Sequence, residues 1–162
     1  MISIRAYARD DLMWLHAINQ QGVPGVSTET IESLERWISL SQCFVAADAD
    51  GQPVGFLTLV PPGTAAYPSG NLRWFEARGG NLNYVDRIAV CDRARGQRVG
   101  EALYDAAFAA CAGRYDSIGC EVNRLPPNPG SLRFHKRLGF VEVGSRAFKP
   151  GEMEVIYLER AL

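Results

Sequence analysis

Apolar and polar residues alternate at the start of the chain, where Ile2, Ile4 and Ala6 are separated by polar neighbours. That period of two predicts a strand with one buried face. The period then lengthens. Leu12, Leu15 and Ile18 follow Asp10 and Asp11, which predicts a capped helix ending near Gly22. Gly22 to Ser27, holding Pro24 and Gly25, reads as a loop. Thr28 is placed to cap a second helix whose Ile31, Leu34 and Ile38 share one face.

Two apolar runs, Cys43 to Ala47 and Val54 to Val60, read as strands joined by a hairpin at Asp50-Gly51, residues that tolerate positive φ. Pro61 to Asn83 shows no period and is rich in Pro, Gly and Asn. It reads as one long loop, of a length that usually signals function. Tyr84 to Val90 is a strand. A helix follows with Val99, Leu103, Ala106 and Ala110 on one face, stopping at Gly113. Ser117 to Val122 is the next strand, and Asn128-Pro129 opens another helix that Gly139 ends. Phe140 to Val143 and Glu154 to Leu158 complete the strands. The order β-α-α-β-β-β-α-β-α-β-β predicts one domain over residues 1–162, a mixed α/β sheet with helices on its faces.

Composition narrows the function classes. Apolar residues make up 47% and charged residues 22%, the balance of a globular domain. A net charge of −1 argues against broad nucleic-acid binding, which needs a basic surplus. No apolar run reaches the roughly 18 residues of a membrane span, and the N-terminus runs straight into alternating sequence without a signal peptide. A cytoplasmic protein is the expectation. Cys43, Cys91, Cys111 and Cys120 all sit in apolar runs without a C-x-x-C pair, so they are expected to be buried thiols. His16 and His135 lack ligand spacing, so no metal is expected.

The most informative segment runs from Tyr84 to Gly100, where a strand enters an Arg- and Gly-bearing turn that opens a helix. The first amides of a helix lack internal partners, and its dipole points a positive end at the turn. That is an anion site. Gly96 and Gly100 permit close approach of a ligand, and Arg93, Arg95 and Arg98 add charge, so a pyrophosphate suits the turn. The bland alternative is an ordinary β-α turn with solvated arginines. The spacing is neither G-x-G-x-x-G nor a P-loop.

This turn resembles the R/Q-x-x-G-x-G/A pyrophosphate loop of the GNAT acetyltransferases: Arg95, Val99 and Gly100 match, while Arg98 stands where the first glycine is usual. Asn123 and the run Asn128-Pro-Gly-Ser131-Leu-Arg-Phe134-His135-Lys-Arg-Leu138-Gly139-Phe140 resemble the family's N-x-x-S-x-x-F-Y-x-x-L-G-F helix. Asn71 to Phe75, followed by Tyr84 to Arg87, also resembles a bacterial subgroup of the family. The resemblance implies a mostly antiparallel sheet of six to seven strands, about four helices, and a splay between two central strands.

It further implies transfer of an acetyl group from acetyl-CoA to a primary amine, without metal. Ile88, Ala89 and Val90 would pair with the pantetheine, residues 95–100 (Gln97 among them) would hold the diphosphate, and Asn123, Asn128, Ser131 and Phe134 would line the cofactor site. His135 takes the position of the family's proton-donating tyrosine; alternatively it only caps or packs the helix. An alkylammonium must lose a proton before it attacks. Asp86 ranks first as base, unless it only pairs with Arg87 or ends the strand in solvent. Glu121 comes next, because a carboxylate in an apolar strand needs a partner or a task. Glu76 is the third candidate. Tyr67, Trp74, Phe75 and Tyr84 form either an acceptor wall or a cover over the sheet's apolar edge. The family often pairs through sheet edges or helices, which admits a homodimer. Two other readings stand beside the enzyme: a catalytically weak acyl-CoA-binding or sensor module, and an interaction protein using the aromatic loop.

Overall fold

The structure, a computed structural model, describes all residues from Met1 to Leu162. Seven strands form one sheet: β1 (Ser3–Ala6), β2 (Gln42–Ala47), β3 (Pro53–Val60), β4 (Leu82–Val90), β5 (Ser117–Leu125), β6 (Val141–Lys149) and β7 (Met153–Ala161). Their spatial order is β1-β2-β3-β4-β5-β7-β6, and every neighbouring pair is antiparallel except β4–β5. This is the mixed, mostly antiparallel α/β sheet that the sequence led us to expect.

Five helices cover the sheet: α1 (Leu12–Gln21), α2 (Ile31–Ser39), α3 (Gly70–Arg78), α4 (Val99–Cys111) and α5 (Pro129–Arg137). α4 lies across β2, β3, β4 and β5, and α1 across β3 and β4. Leu15, Leu34, Phe56, Leu57 and Leu103 are fully buried between helices and sheet. No helix is long and apolar enough to cross a membrane. All four cysteines are buried free thiols.

Two local expectations are corrected. α2 is capped by Thr30, not Thr28: the Thr30 hydroxyl accepts from the Ser33 amide at 3.0 Å, while Thr28 accepts from the Gln20 amide group at 2.8 Å. The segment Pro61 to Asn83 is not one irregular loop. It contains α3, whose N-terminus is capped by the Ser69 hydroxyl on the Leu72 amide at 3.1 Å. Leu72 and Phe75, three residues apart, turn one face of α3 inward onto Val60, Tyr84, Val155 and Tyr157, making a second, smaller core.

Parallel β4 and β5 pair only at Leu82–Ser117, Asn83–Ile118 and Tyr84–Gly119. Beyond Tyr84 and Gly119 the strands separate. The facing edge of β4 loses its partner there, while its other edge stays bonded to β3. At that point the β3–β4 register slips: Thr58 faces Arg87 and Leu59 faces Val85, so Asp86 is the extra, unpaired residue of a bulge. The opened wedge sets the site.

Candidate active site

Two cavities meet at the wedge. One, of about 670 Å³, lies against the outer part of β4, the start of α4 and the face of α5. The other, of about 430 Å³, lies between the α1–α2 loop, the start of α3 and the ends of β6 and β7. Asp86, Arg87 and Glu121 line both. Asp86 and Glu121 stand two residues beyond the last β4–β5 pair on their strands, so the splay itself brings the two carboxylates to the junction.

The larger cavity contains the turn that the sequence suggests as an anion site. A short turn, Asp92–Ala94, leads from β4 into Arg95-Gly96-Gln97-Arg98. Gly96 has φ +77° and Arg98 φ +61°, both left-handed. Arg98 thus adopts the conformation that favours glycine, which accounts for glycine as the usual occupant of this place in the resembling motif. The first helical bond of α4 runs from the Ala102 amide to the Arg98 carbonyl at 3.1 Å, leaving the preceding amides without helical partners. Ile88, Ala89, Val90, Arg95, Gly96, Arg98, Val99, Gly100, Asn128, Ser131, Phe134 and His135 all line this cavity. Gln97 does not. Its side chain turns back to donate to the Arg93 carbonyl at 3.2 Å. Asn123 lines the smaller cavity instead and donates to the Pro24 carbonyl at 2.9 Å. Gly100 also serves packing, because a Cβ there would approach the Phe134 ring to 2.9 Å.

The carboxylates differ in surroundings. Asp86 accepts from the Tyr67 hydroxyl and from Arg87 Nε at 3.0 Å. Glu121 accepts from the Tyr84 hydroxyl at 2.7 Å. Its carboxyl group lies deep in the wedge. Burial pushes its pKa up to about 8, helped by repulsion from Asp86 and opposed by the Tyr84 and Asn71 hydrogen bonds. Arg87 is 6% exposed and donates to Asp86, to Asn19 Oδ1 at 3.0 Å and to Glu29 Oε1 at 3.0 Å. Burial opposes its charge, but the facing carboxylates outweigh that and hold it protonated. Burial likewise pushes Glu29 up, while Ser33, Arg87 and the Trp37 indole N–H together bring it below its usual range.

His135 is 3% exposed. Its Nδ1 lies 2.8 Å from the Ser131 carbonyl, an oxygen that only accepts, so Nδ1 carries the proton. Its Nε2 lies 2.7 Å from the Tyr104 hydroxyl and is therefore the acceptor. Burial lowers the imidazole pKa, against the pull of the Ser131 carbonyl, which keeps the ring neutral. The neutral ring has no proton on Nε2 to give. The geometry thus fits packing better than the proton-donor role expected from its position. Tyr104, in the middle of α4, carried no recognisable sequence signal.

The expected acceptor wall divides. Tyr67 lines the smaller cavity, 4% exposed and edge-to-face with Trp37 at 5.4 Å between centroids. Trp74, Phe75 and Tyr84 line neither cavity. Trp74 stacks on Tyr157 at 3.9 Å, and Phe75 is 3% exposed in the second core. The reason is the unforeseen α3, whose turn aims these rings at the sheet. Glu76 pairs with Arg73 and accepts from the Gly63 amide, away from the wedge. Glu29 and Trp37, which close the smaller cavity, were missed because they lie far from β4 in sequence.

Such a splayed parallel pair, with a helix start of unpartnered amides on one side and carboxylates at the junction, fits the class of acyl-group transferases built on one mixed sheet. A sequence model of the Acetyltransferase (GNAT) family matches residues 10–140. The chain belongs to the GNAT family and is an acetyltransferase. Solved structures of the same fold include Ard1 from Thermoplasma volcanium, 22% identical over 99% of this chain and 97% of that one, with a TM-score of 0.75. The ribosomal-protein-S18-alanine N-acetyltransferase from Escherichia coli is 17% identical over 99% and 94%, with a TM-score of 0.74. A phosphinothricin acetyltransferase from Sinorhizobium meliloti, in complex with AcCoA, is 21% identical over 99% and 88%, with a TM-score of 0.73. No curated protein sequence matches the chain.

Proposed function

We propose that the protein transfers the acetyl group of acetyl-CoA to a primary amine by direct attack. Acetyl-CoA occupies the larger cavity and the amine the smaller one. The observation that carries this reading is the shared junction: two cavities of ligand size meet at Asp86 and Glu121, where strands β4 and β5 part.

The residues present fit the cofactor. The helix start and Arg95 supply positive charge for the diphosphate, and the unpaired edge of β4 offers backbone groups for an amide-bearing arm. Bound there, acetyl-CoA supplies an activated thioester. Glu121, with a pKa of about 8, is matched to accept a proton from an ammonium whose own pKa lies near about 10. Asp86 keeps the junction negative and positions the ammonium. The amine nitrogen then bonds to the acetyl carbon as the carbon–sulfur bond breaks with its electron pair on sulfur. Two protons leave nitrogen; one ends on the CoA thiol and one reaches solvent through Glu121. No separate acid is assigned, since a thiolate departs without one.

Thiol release from acetyl-CoA in the presence of a panel of amines tests the proposal. Amine-dependent release lost in Glu121→Gln supports it. Tight acetyl-CoA binding without release by any amine favours the sensor module instead.

A further inference from the structure

We propose that the acceptor is a small monoamine with an apolar, ring-bearing body and no carboxylate or phosphoryl group beside its nitrogen. This rests on the acetyl-transfer reading and narrows its substrate. The smaller cavity is lined by three acidic side chains, Glu29, Asp86 and Glu121, and by one basic side chain, Arg87. All three Arg87 nitrogens already donate, to Asp86, Asn19, Ser27 and Glu29. The guanidinium is buried as well, with 6% of the side chain exposed. A carboxylate on the carbon next to the reacting nitrogen would enter beside Asp86 and Glu121, where the one lining cation, Arg87, is already paired. Like charges left unpaired at such a place are strongly disfavoured.

The acids also limit the number of positive charges. Glu29 is engaged by Arg87, Ser33 and Trp37. Asp86 is engaged too, by Arg87 and Tyr67, so the two carboxylates that reach the junction, Asp86 and Glu121, together offer one place to a single ammonium. Ser27, Ser69, Asn71 and Asn123 add uncharged polar groups to the lining, and its large side chains are apolar. Trp37 and Tyr67 meet edge-to-face on one side, with Phe148, Met153 and Val155 also lining the cavity. Phe148 is 36% and Met153 48% exposed, large apolar groups left uncovered where a ligand's body would seat. Arg146, whose guanidinium lies 4.5 Å over the Phe148 ring, does not line the cavity. A volume of about 430 Å³ suits a molecule of one or two rings.

The test measures kcat/KM by thiol release for 2-phenylethylamine, L-phenylalanine, putrescine and a tripeptide beginning with Phe. The expected result is at least about a tenfold preference for 2-phenylethylamine over each of the others. Phe148→Ala should raise the KM for 2-phenylethylamine about tenfold and leave acetyl-CoA affinity by calorimetry unchanged; Phe148 is exposed, so the variant folds. Equal or better use of phenylalanine, putrescine or the tripeptide overturns the inference. Failure of every amine while acetyl-CoA still binds, or failure of acetyl-CoA to bind at all, overturns instead the acetyl-transfer reading beneath it.

Discussion

The Tyr104 hydroxyl donates to His135 Nε2 at 2.7 Å, joining the middle of α4 to the end of α5 inside the larger cavity. The two rings stand edge-to-face at 5.3 Å, among Phe134 and Phe140. Neither side chain has water to replace its partner. Removing one therefore strands a buried polar atom, which costs about 1–3 kcal/mol. Tyr104→Phe and His135→Phe should each destabilise the fold by about that amount. The double variant should cost less than their sum, because it removes both polar atoms at once. Urea unfolding of the four proteins measures this coupling, and strict additivity would contradict the pairing.

Burial also lowers the His135 pKa below that of the unfolded chain, which is near about 6.5. The unfolded state then binds more protons between the two values. Stability contributed by neutral His135 is present above about 6.5 and lost as pH falls through the folded value. Glu121 acts in the opposite sense, its raised pKa favouring the folded state at low pH. The expected observation is thus a difference: on acidification below about 6.5, wild type should lose more stability than His135→Phe. Thermal unfolding across pH 5 to 8 gives both curves.

For turnover the proposed base is Glu121. With a pKa of about 8, it takes protons only after losing its own, so kcat/KM should rise with pH to a plateau above about 8. Asp86 raises that pKa by repulsion. Asp86→Asn should therefore shift the rising limb to lower pH, whatever it does to the rate. Glu121→Gln should lower the rate by about 100-fold or more. An unmoved limb in Asp86→Asn would detach Glu121 from the profile.

Much of this was legible in the chain because local chemistry carried it. Asn128 caps α5 on the Ser131 amide with Pro129 in its first turn, and the strand, glycine turn and helix from Tyr84 to Cys111 follow one another as their patterns dictate. α3 was hidden because Pro68 precedes it, Gly70 opens it and Gly79-Gly80 ends it, so its weak apolar stripe of Leu72 and Phe75 was masked by loop-like residues. The splay depends on β5 pairing with both β4 and β7, a long-range choice that no local period records. For the same reason Glu29 and Tyr104 gave no sign of their partners, Arg87 and His135, which lie 58 and 31 residues away.

Trp74 illustrates what that omission costs. Its ring fills the space where a Cβ on Gly144 would lie, 2.5 Å away, and stacks on Tyr157. Trp74→Ala should destabilise the protein by about 2–3 kcal/mol, below the usual loss for a fully buried Trp because the ring is half-buried. At temperatures where the variant stays folded, its acceptor KM should match wild type. A raised KM with unchanged stability would restore Trp74 to the acceptor wall.

The turn before α4 offers a separate test of strain. Arg98 sits at φ +61°, and its side chain is 82% exposed with Glu101 as its partner. A left-handed residue with a side chain is disfavoured by about 1–2 kcal/mol, part of which glycine would recover. Arg98→Gly should raise stability by up to about 1 kcal/mol in denaturant titrations and change acetyl-CoA affinity less than about threefold.

Charge at the same turn should govern acetyl-CoA affinity more than any single contact. Arg95 lines the larger cavity with its side chain 62% exposed, paired only to Asp92 at 3.0 Å. An exposed pair of this kind contributes little to stability, so replacing Arg95 leaves the fold intact. Diphosphate binding, in contrast, should depend on the positive potential that the helix start and Arg95 create together. Arg95→Ala removes one part and should weaken acetyl-CoA about threefold, since the backbone amides remain. Arg95→Glu reverses the charge where the diphosphate would approach and should weaken binding about tenfold or more. Because the interaction acts through solvent, the gap between the two variants should narrow as salt rises from 0.05 to 0.5 M and the screening length falls to a few ångströms. Calorimetry at the two salt concentrations measures both effects. Equal affinity of wild type and Arg95→Glu at low salt would move the diphosphate away from this turn, and the larger cavity would then need another occupant.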